Sequence, residues 1–449
     1  MNKRNFLKTS GAVLTGGLLS RLTADEIESG VRANWSGNYK YHAQRLHLPK
    51  SGEEVQQIVR SCNRLKALGA RHSFNGVADS FTDQISVKHL DKMALDTKAG
   101  TVTVGAGLTY GHVAPYLHEK GYALHNLASL PHVSVAGACS TATHGSGVKN
   151  GNLSTAVAGL EMVTADGEMM SFSRKHDGEQ FCGYVVSLGG LGVITNVTLN
   201  VQPTFDVAQV VYQNLSFSQL EHHLEEIFSS GYSVSLFTDW QNHQATQLWI
   251  KHRVDPATPR KFPTEYFGAK LATRNLHPLT GHSAENCTEQ MGVPGPWYER
   301  LPHFKMNFTP SSGEELQTEY FVPYDRGYEA ILAVEQLKDK IYPHLFVTEL
   351  RRIRKDDLWM SPCYQRDSMT IHFTWKNEWP EVKKVLPLIE EKLAPFYPRP
   401  HWAKLFTMPA QQVQASYEKL PAFKGLLERR DAQGKFRNQF LNDHLYATA

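Results

Sequence analysis

The sequence predicts an α+β protein with two main domains, and three observations carry that prediction. A chain of 449 residues is long enough for two or three domains, and 41% hydrophobic residues can fill their cores. Up to residue 205, short runs of strand-forming residues are punctuated by Gly, Asn and Asp. From 206 to 398, helical stretches alternate with strands of two-residue period, the pattern of helices laid on a mostly antiparallel sheet. The domains are therefore placed at 33–205 and 206–398, preceded by a leader-like segment, 1–32, and followed by a C-terminal segment, 399–449.

Residues 1–23, MNKRNFLKTSGAVLTGGLLSRLT, join a basic start to an apolar run too short to span a bilayer. The stretch from Lys3 to Lys8 resembles a twin-arginine export signal with Lys in place of the first Arg, which implies a periplasmic or otherwise exported protein. A disordered basic tail on a cytoplasmic protein is the alternative reading, and no small-x-small cleavage site is visible. The first domain then runs through WSGNYKY and the helical GEEVQQIVRSCNRLKAL. A strand, Gly turn and amphipathic helix follow in TVTVGAGLTYGHVAPYLHEKGYAL. LEMVTADGEMMSF is a hairpin with an Ala-Asp-Gly turn, and VITNVTLNVQPTF closes the domain. In the second domain LSFSQLEHHLEEIFSSG, RGYEAILAVEQLKDKI and EWPEVKKVLPLIEEKLAPF are helical. YSVSLFTDW, QLWIKHRV, LQTEYFVP, FVTELRRI and MTIHFTWK are strands.

Charge and cysteine content exclude several functions. Forty-seven Lys and Arg against 44 Asp and Glu leave a formal charge of +3, too weak a field for a nucleic-acid binder. The five cysteines contain no C-x-x-C pair, so neither a disulfide scaffold nor a thiolate zinc site is expected. Among 21 His there is no H-E-x-x-H, and His222-His223 lies beside acids on a helix as a solvated face; no metal site is expected.

Four segments can carry chemistry. In Ala67-Leu68-Gly69-Ala70-Arg71-His72-Ser73, small residues let backbone N–H groups approach an anion and Ser73 can bond a phosphate oxygen, although a plain Gly-Ala turn is the commoner case. Ser129 to Gly147 is mostly Gly, Ala, Ser and Thr, a loop able to lie against a flat or phosphorylated ligand, or else a close crossing of backbone; it matches neither a P-loop nor a Rossmann fingerprint. Strand alternation puts Glu349 and Arg351 on one face, and Thr370, His372 and Thr374 on one face opposite Ile371, Phe373 and Trp375. Such stripes are either the wet side of a sheet or a site for a polyhydroxylated ligand. Lys404 lies in the aromatic setting of His401-Trp402-Ala403-Lys404-Leu405-Phe406.

In order, GARHSFNGVADS, SLPHVSVAGACSTATHGSG, NCTEQMGVPGPWYERLPHF, TELRRI, IHFTW and PHWAKLF resemble the alditol oxidases and their sugar-lactone oxidase relatives, from about Asn34 to GKFRNQF. These are flavoproteins with the vanillyl-alcohol-oxidase type of FAD-binding fold. The resemblance implies an FAD domain, a substrate-binding cap domain and a C-terminal segment returning to the active site. It implies that Ala67 to Ser73 wrap the FAD pyrophosphate, with His72 joined covalently through a ring nitrogen to a methyl of the isoalloxazine. Ser129, Ser134, Gly137, Ala138, Cys139, Ser140, His144, Gly145, Ile194 and Lys404 would also contact FAD. Relatives tend to have Gly where this chain has Arg71, and Ser129 stands near the place of a second, cysteinyl link, so single attachment is expected. The implied substrate site is Ser129, Glu349, Arg351, His372, Thr374 and Lys404. There Arg351 and Lys404 would hold the reacting oxygen, Glu349 and Thr374 would grip neighbouring hydroxyls, and Ser129 would help orient the sugar chain. His372 is the easiest proton acceptor, with water and Lys404 as alternatives. The implied reaction is hydride transfer from a polyol to flavin N5 with O2 reduced to hydrogen peroxide; the alternative substrate is a sugar 1,4-lactone.

Overall fold

The computed structural model describes residues 32–447 apart from 256, 259 and 308–314; the leader-like segment therefore lies outside the described residues but for Arg32. Its first layer is a parallel sheet of three short strands. β1 (Arg45–His47) leads to α1 (Gly52–Ser61), then β2 (Leu65–Leu68) and β3 (Asp83–Ser86), in spatial order β1-β3-β2. Helix α1 starts where Ser51 accepts from the Glu54 N–H, carries Glu53 and Glu54 at its positive end and buries Val55 and Val59.

The second layer is antiparallel. β4 (Met93–Asp96) and β5 (Thr101–Gly105) are followed by α2 (Tyr110–Glu119) and the short α3 (Val135–Ser140). Then come β6 (Val157–Val163), β7 (Met169–Ser173) and β8 (Val193–Asn200), giving the order β7-β6-β8-β5-β4. The β6–β7 hairpin turns at Ala165-Asp166-Gly167 as the sequence suggests, with Gly167 at φ +83°, which a side chain would resist.

The third element is a large antiparallel sheet. Its core comprises β9 (Asp206–Ser216), β10 (Ser233–Thr238), β11 (Gln244–Val254), β12 (Glu315–Pro323), β13 (Leu345–Ile353) and β14 (Ser368–Lys376), ordered β9-β11-β10-β13-β14-β12. Register and alternation sort its side chains. Leu236, Ile250, Tyr320, Leu350 and Ile371 share one face, under α4 (Ser218–Ser229), α5 (Gly327–Glu335) and α6 (Trp379–Leu393). Each fully buried aliphatic or aromatic side chain there contributes about 1.5–3 kcal/mol. The opposite face carries Lys251, Glu319, Glu349, Arg351, His372 and Thr374, and it is this face that matters chemically.

One buried charge ties distant parts of the chain. Lys66 on β2 is 1% exposed, and its ammonium donates to the carbonyls of Leu188, Gly189 and Phe436 at 2.9, 3.0 and 3.1 Å. Burial pushes its pKa down to about 7, and three satisfied protons make the burial tolerable.

Candidate active site

A cavity of about 500 Å³ runs between the two small-residue loops and the polar face of the large sheet. At one end it is lined by Lys66, Leu188, Gly189, Gly192 and Ile194, and at the other by Gln317, Glu349, Arg351, His372, Thr374 and Lys404. The loops meet because they lack side chains: a Cβ on Gly69 would stand 2.5 Å from Ser134 Oγ, and one on Gly137 2.7 Å from the same oxygen. Ser134 Oγ in turn accepts from the Ala70 N–H at 3.2 Å. A backbone-walled slot of this kind suits a dinucleotide, whose phosphates need N–H donors at close range.

Arg71 sits at φ +63°, the left-handed region that favours Gly, so the turn carries local strain. The guanidinium donates to the Ala33 carbonyl at 3.1 Å, and the Trp35 N–H donates to the Arg71 carbonyl at 2.8 Å, which fixes the turn. His72 follows, its ring stacked on Trp35 with centroids 5.1 Å apart. Burial, with His132 and Arg71 nearby, pushes its pKa down to about 3, so the ring is neutral at pH 7 and offers a nucleophilic nitrogen. Ala67, Leu68, Ser73, Ala138, Ser140, His144 and Ser129 also line the cavity.

Two residues of the expected cofactor set, Cys139 and Gly145, do not line the cavity. The Cys139 side chain turns into the core, its Sγ 3.5 Å from the Tyr110 hydroxyl, while Ala136, Gly137, Ala138 and Ser140 of α3 line the cavity. Gly145 packs against the backbone of Leu127, where a Cβ would stand 2.4 Å from the carbonyl oxygen.

At the sheet end, register sets Glu319, His372 and Glu349 side by side on β12, β14 and β13. Glu319, absent from the sequence-derived set, is the hub. It is 1% exposed, and its carboxylate lies 2.7 Å from Arg351 Nη2, 2.8 Å from Lys404 Nζ, 3.2 Å from His144 Nε2 and 3.4 Å from His372 Nδ1. Burial opposes its ionisation, but Lys404, His144 and Arg351 outweigh it and hold the carboxyl well below its usual range. A signal for Glu319 was available: in LQTEYFVP it shares a strand face with Gln317.

Lys404 reaches this point because its loop is pinned on both sides. The His401 and Leu405 N–H groups donate to the Glu319 and Gln317 carbonyls at 3.0 and 2.9 Å. From the cofactor loop, Asn75 Nδ2 donates to the Trp402 and Lys404 carbonyls at 2.9 and 2.8 Å. Burial lowers the Lys404 pKa and Glu319 partly restores it. The Lys404 ammonium also donates to His372 Nδ1, so His372 carries its proton on Nε2, 3.1 Å from Thr374 Oγ1. Burial and then Lys404 push His372 down to about 4.

Glu349 accepts from His303 Nε2 at 2.8 Å through Oε1, while its Oε2 lies 3.6 Å from Arg351 Nε, a buried nitrogen without a hydrogen-bond partner. Burial works against the Glu349 carboxylate, but Arg351, His303 and His372 hold its pKa well down. An acceptor and a donor so spaced can both be satisfied by one hydroxyl group.

A slot fit for a dinucleotide ends under a wall of paired carboxylates and cations fit to bind a hydroxylated carbon chain, and the relatives of the chain make the class a flavin-dependent oxidoreductase. Residues 43–173 match the FAD binding domain model, and 308–444 match the D-arabinono-1,4-lactone oxidase model. The chain is 45% identical over 418 residues to an alditol oxidase of Streptomyces sp., covering 92% of this chain and 98% of that one. It is 26% identical to an L-gulono-1,4-lactone dehydrogenase of Mycobacterium tuberculosis, again over 92% of this chain and 98% of that one. Cholesterol oxidase from B. sterolicum has the same fold, with a TM-score of 0.74 at 14% identity over 92% of this chain and 96% of that one. The chain belongs to the alditol oxidase family and is an FAD-dependent oxidoreductase.

Proposed function

We propose that the protein oxidises a carbinol group of an alditol and passes the electrons to O2. The observation that carries this reading is the wall formed by Glu319, Arg351, His372, Lys404 and Glu349 at one end of the slot, in a chain 45% identical to an alditol oxidase. When bound, FAD supplies a hydride acceptor whose electron pair reduces O2 to hydrogen peroxide. Loops 67–73 and 134–140 would hold it, and the neutral ring of His72 supports a single covalent tether to a flavin methyl group.

Arg351 and Lys404 hold the reacting oxygen and stabilise the negative charge that develops as its proton leaves. Glu319 keeps both cations in place without touching substrate. His372 orients Lys404 and Thr374; with its proton on Nε2 and Nδ1 taken by the Lys404 ammonium it has no free acceptor, so the hydroxyl proton leaves to water. Glu349 Oε2 and Arg351 Nε together bind a neighbouring hydroxyl, and Thr374 and Ser129 orient the chain beyond it. The twin-arginine-like leader supports export of the folded protein.

A second reading, oxidation of a sugar 1,4-lactone, is favoured by the match of residues 308–444 to a lactone oxidase model. Anaerobic titration separates the two: xylitol or sorbitol bleaches the flavin if alditols are the substrates, and bleaching by a 1,4-lactone alone refutes the first reading. Yellow colour that stays with acid-precipitated protein, and is lost in His72→Ala, tests the tether; colour in the supernatant of the parent protein refutes it.

A further inference from the structure

Behind Glu349 lies a buried chain of polar contacts that the proposed reaction does not use. Lys251 on β11 is 1% exposed, and its ammonium donates to the carbonyls of Leu301 and Pro302 and, at 3.2 Å, to His303 Nδ1. Burial pushes the Lys251 pKa down to about 7; as an ammonium it has no lone pair, so Nδ1 accepts and the ring carries its proton on Nε2, the tautomer that the Glu349 carboxylate also requires. That proton points at Glu349 Oε1, 2.8 Å away. The ring cannot easily turn over, because Phe237 and Trp249 hold it edge-on with centroids 5.4 and 5.2 Å distant. The His303 main-chain N–H also donates to the Ser129 carbonyl at 3.1 Å. One residue thus reaches two members of the substrate wall that come from distant parts of the chain.

We infer that Lys251 and His303 are positioning residues for substrate recognition: Lys251 dictates the direction of the His303–Glu349 hydrogen bond, which leaves Glu349 Oε2 free to face a substrate hydroxyl, while the His303 main chain sets the Ser129 loop at the matching distance. The inference rests on the reading that Glu349 and Ser129 meet the substrate. It makes binding of the polyol chain depend on a relay that never touches it. Burial and Lys251 push the His303 pKa down to about 4, in keeping with a ring that stays neutral and keeps one tautomer at pH 7.

The test uses holoenzyme and xylitol, with the flavin reduced anaerobically over a range of xylitol concentrations to separate the dissociation constant from the limiting reduction rate. His303→Leu fills the space between Phe237 and Trp249 without ring nitrogens; His303→Gln keeps an acceptor and a donor at similar spacing. Losing a hydrogen bond to a buried carboxylate should weaken xylitol binding about tenfold or more in the Leu variant, with the limiting rate within about threefold of the parent. The Gln variant should recover most of the affinity, and Lys251→Met should behave like His303→Leu. Equal loss in His303→Leu and His303→Gln would mean a packing role and overturn the inference, as would parent-like binding by His303→Leu. If His303→Leu does not retain flavin, Lys251→Met carries the same expectation, and parent-like binding by it is equally fatal. Glu349→Gln separates the two layers. Weak binding by this variant beside parent-like binding by His303→Leu overturns the relay alone. Parent-like binding by Glu349→Gln overturns the substrate reading and the relay with it.

Discussion

Replacing Glu319 with Gln removes one charge from the hub and almost no volume. Unit charges 2.7 and 2.8 Å apart, as Glu319 is from Arg351 and Lys404, attract by about 6 kcal/mol each in surroundings of effective dielectric about 20. Much of that offsets the cost of desolvating the ions, and breaking a buried pair by removing one partner costs about 3–5 kcal/mol net. Gln cannot repair the loss: its carbonyl can accept from one cation, but its amide then presents hydrogens to the other. Lys404 should respond most. Burial lowers its pKa and Glu319 raises it, so without Glu319 the ammonium loses its proton at lower pH. If Lys404 must be charged to hold the reacting oxygen, the alkaline limb of the reduction rate moves towards acid. At pH 8 the rate should fall about 10²–10³-fold, the usual size for losing one preorganised group. Stopped-flow reduction by xylitol across pH, together with thermal unfolding, gives both quantities. A Glu319→Gln enzyme with the parent's alkaline limb and melting temperature would refute the assignment of Glu319 as the anchor of the two cations.

Three further outcomes are expected. Arg71→Val puts a β-branched residue at φ +63° and should cost about 1–2 kcal/mol with reduced flavin content, while Arg71→Gly should melt no lower than the parent; calorimetry and the 450 nm to 280 nm absorbance ratio decide. Gly69→Ala would bring a methyl 2.5 Å from Ser134 Oγ, displacing the oxygen that the Ala70 N–H bonds, so purified protein should carry less flavin; a full complement would show that the loops need no such contact. Hydrogen bonding from Arg45, opposed by burial and aided by His47, depresses the Asp83 pKa to about 2. Its contribution to stability is therefore whole above the ordinary carboxylate pKa of about 4 and is lost as pH falls through about 2. Asp83→Asn should flatten that part of the acid unfolding profile, and an unchanged profile would remove Asp83 as a cause.

Strand alternation is a local property, and it made half of the site readable in the sequence. Glu349 with Arg351, and His372 with Thr374, are two residues apart, so a shared face follows from backbone geometry alone. Glu319 shares its face with Gln317 by the same rule, but its importance depends on register: nothing local says that β12 lies beside β14 with Glu319 opposite His372. Lys251 and His303 are further out of reach, because their meeting needs the connection that follows β11 to fold back over the sheet. Cys139 is implied as a cofactor contact by the family resemblance alone; its thiol lies against Tyr110, a placement that the run of small residues in this loop does not reveal. The strain at Arg71 was visible only as a departure from Gly, since a positive φ leaves no other trace in a single sequence.

The three carbonyls that hold Lys66 also impose an order of events on synthesis. Leu188 and Gly189 emerge from the ribosome more than 120 residues after the lysine, but Phe436 emerges 370 residues after it. Until then the ammonium lacks its third acceptor, and the end of the slot that it braces stays unfinished. A nascent chain holding every other part of the slot would still have a loose wall. Stable capture of a dinucleotide therefore waits for a chain that has extended past Phe436, and a ribosome stalled ahead of it should carry a chain that retains flavin poorly.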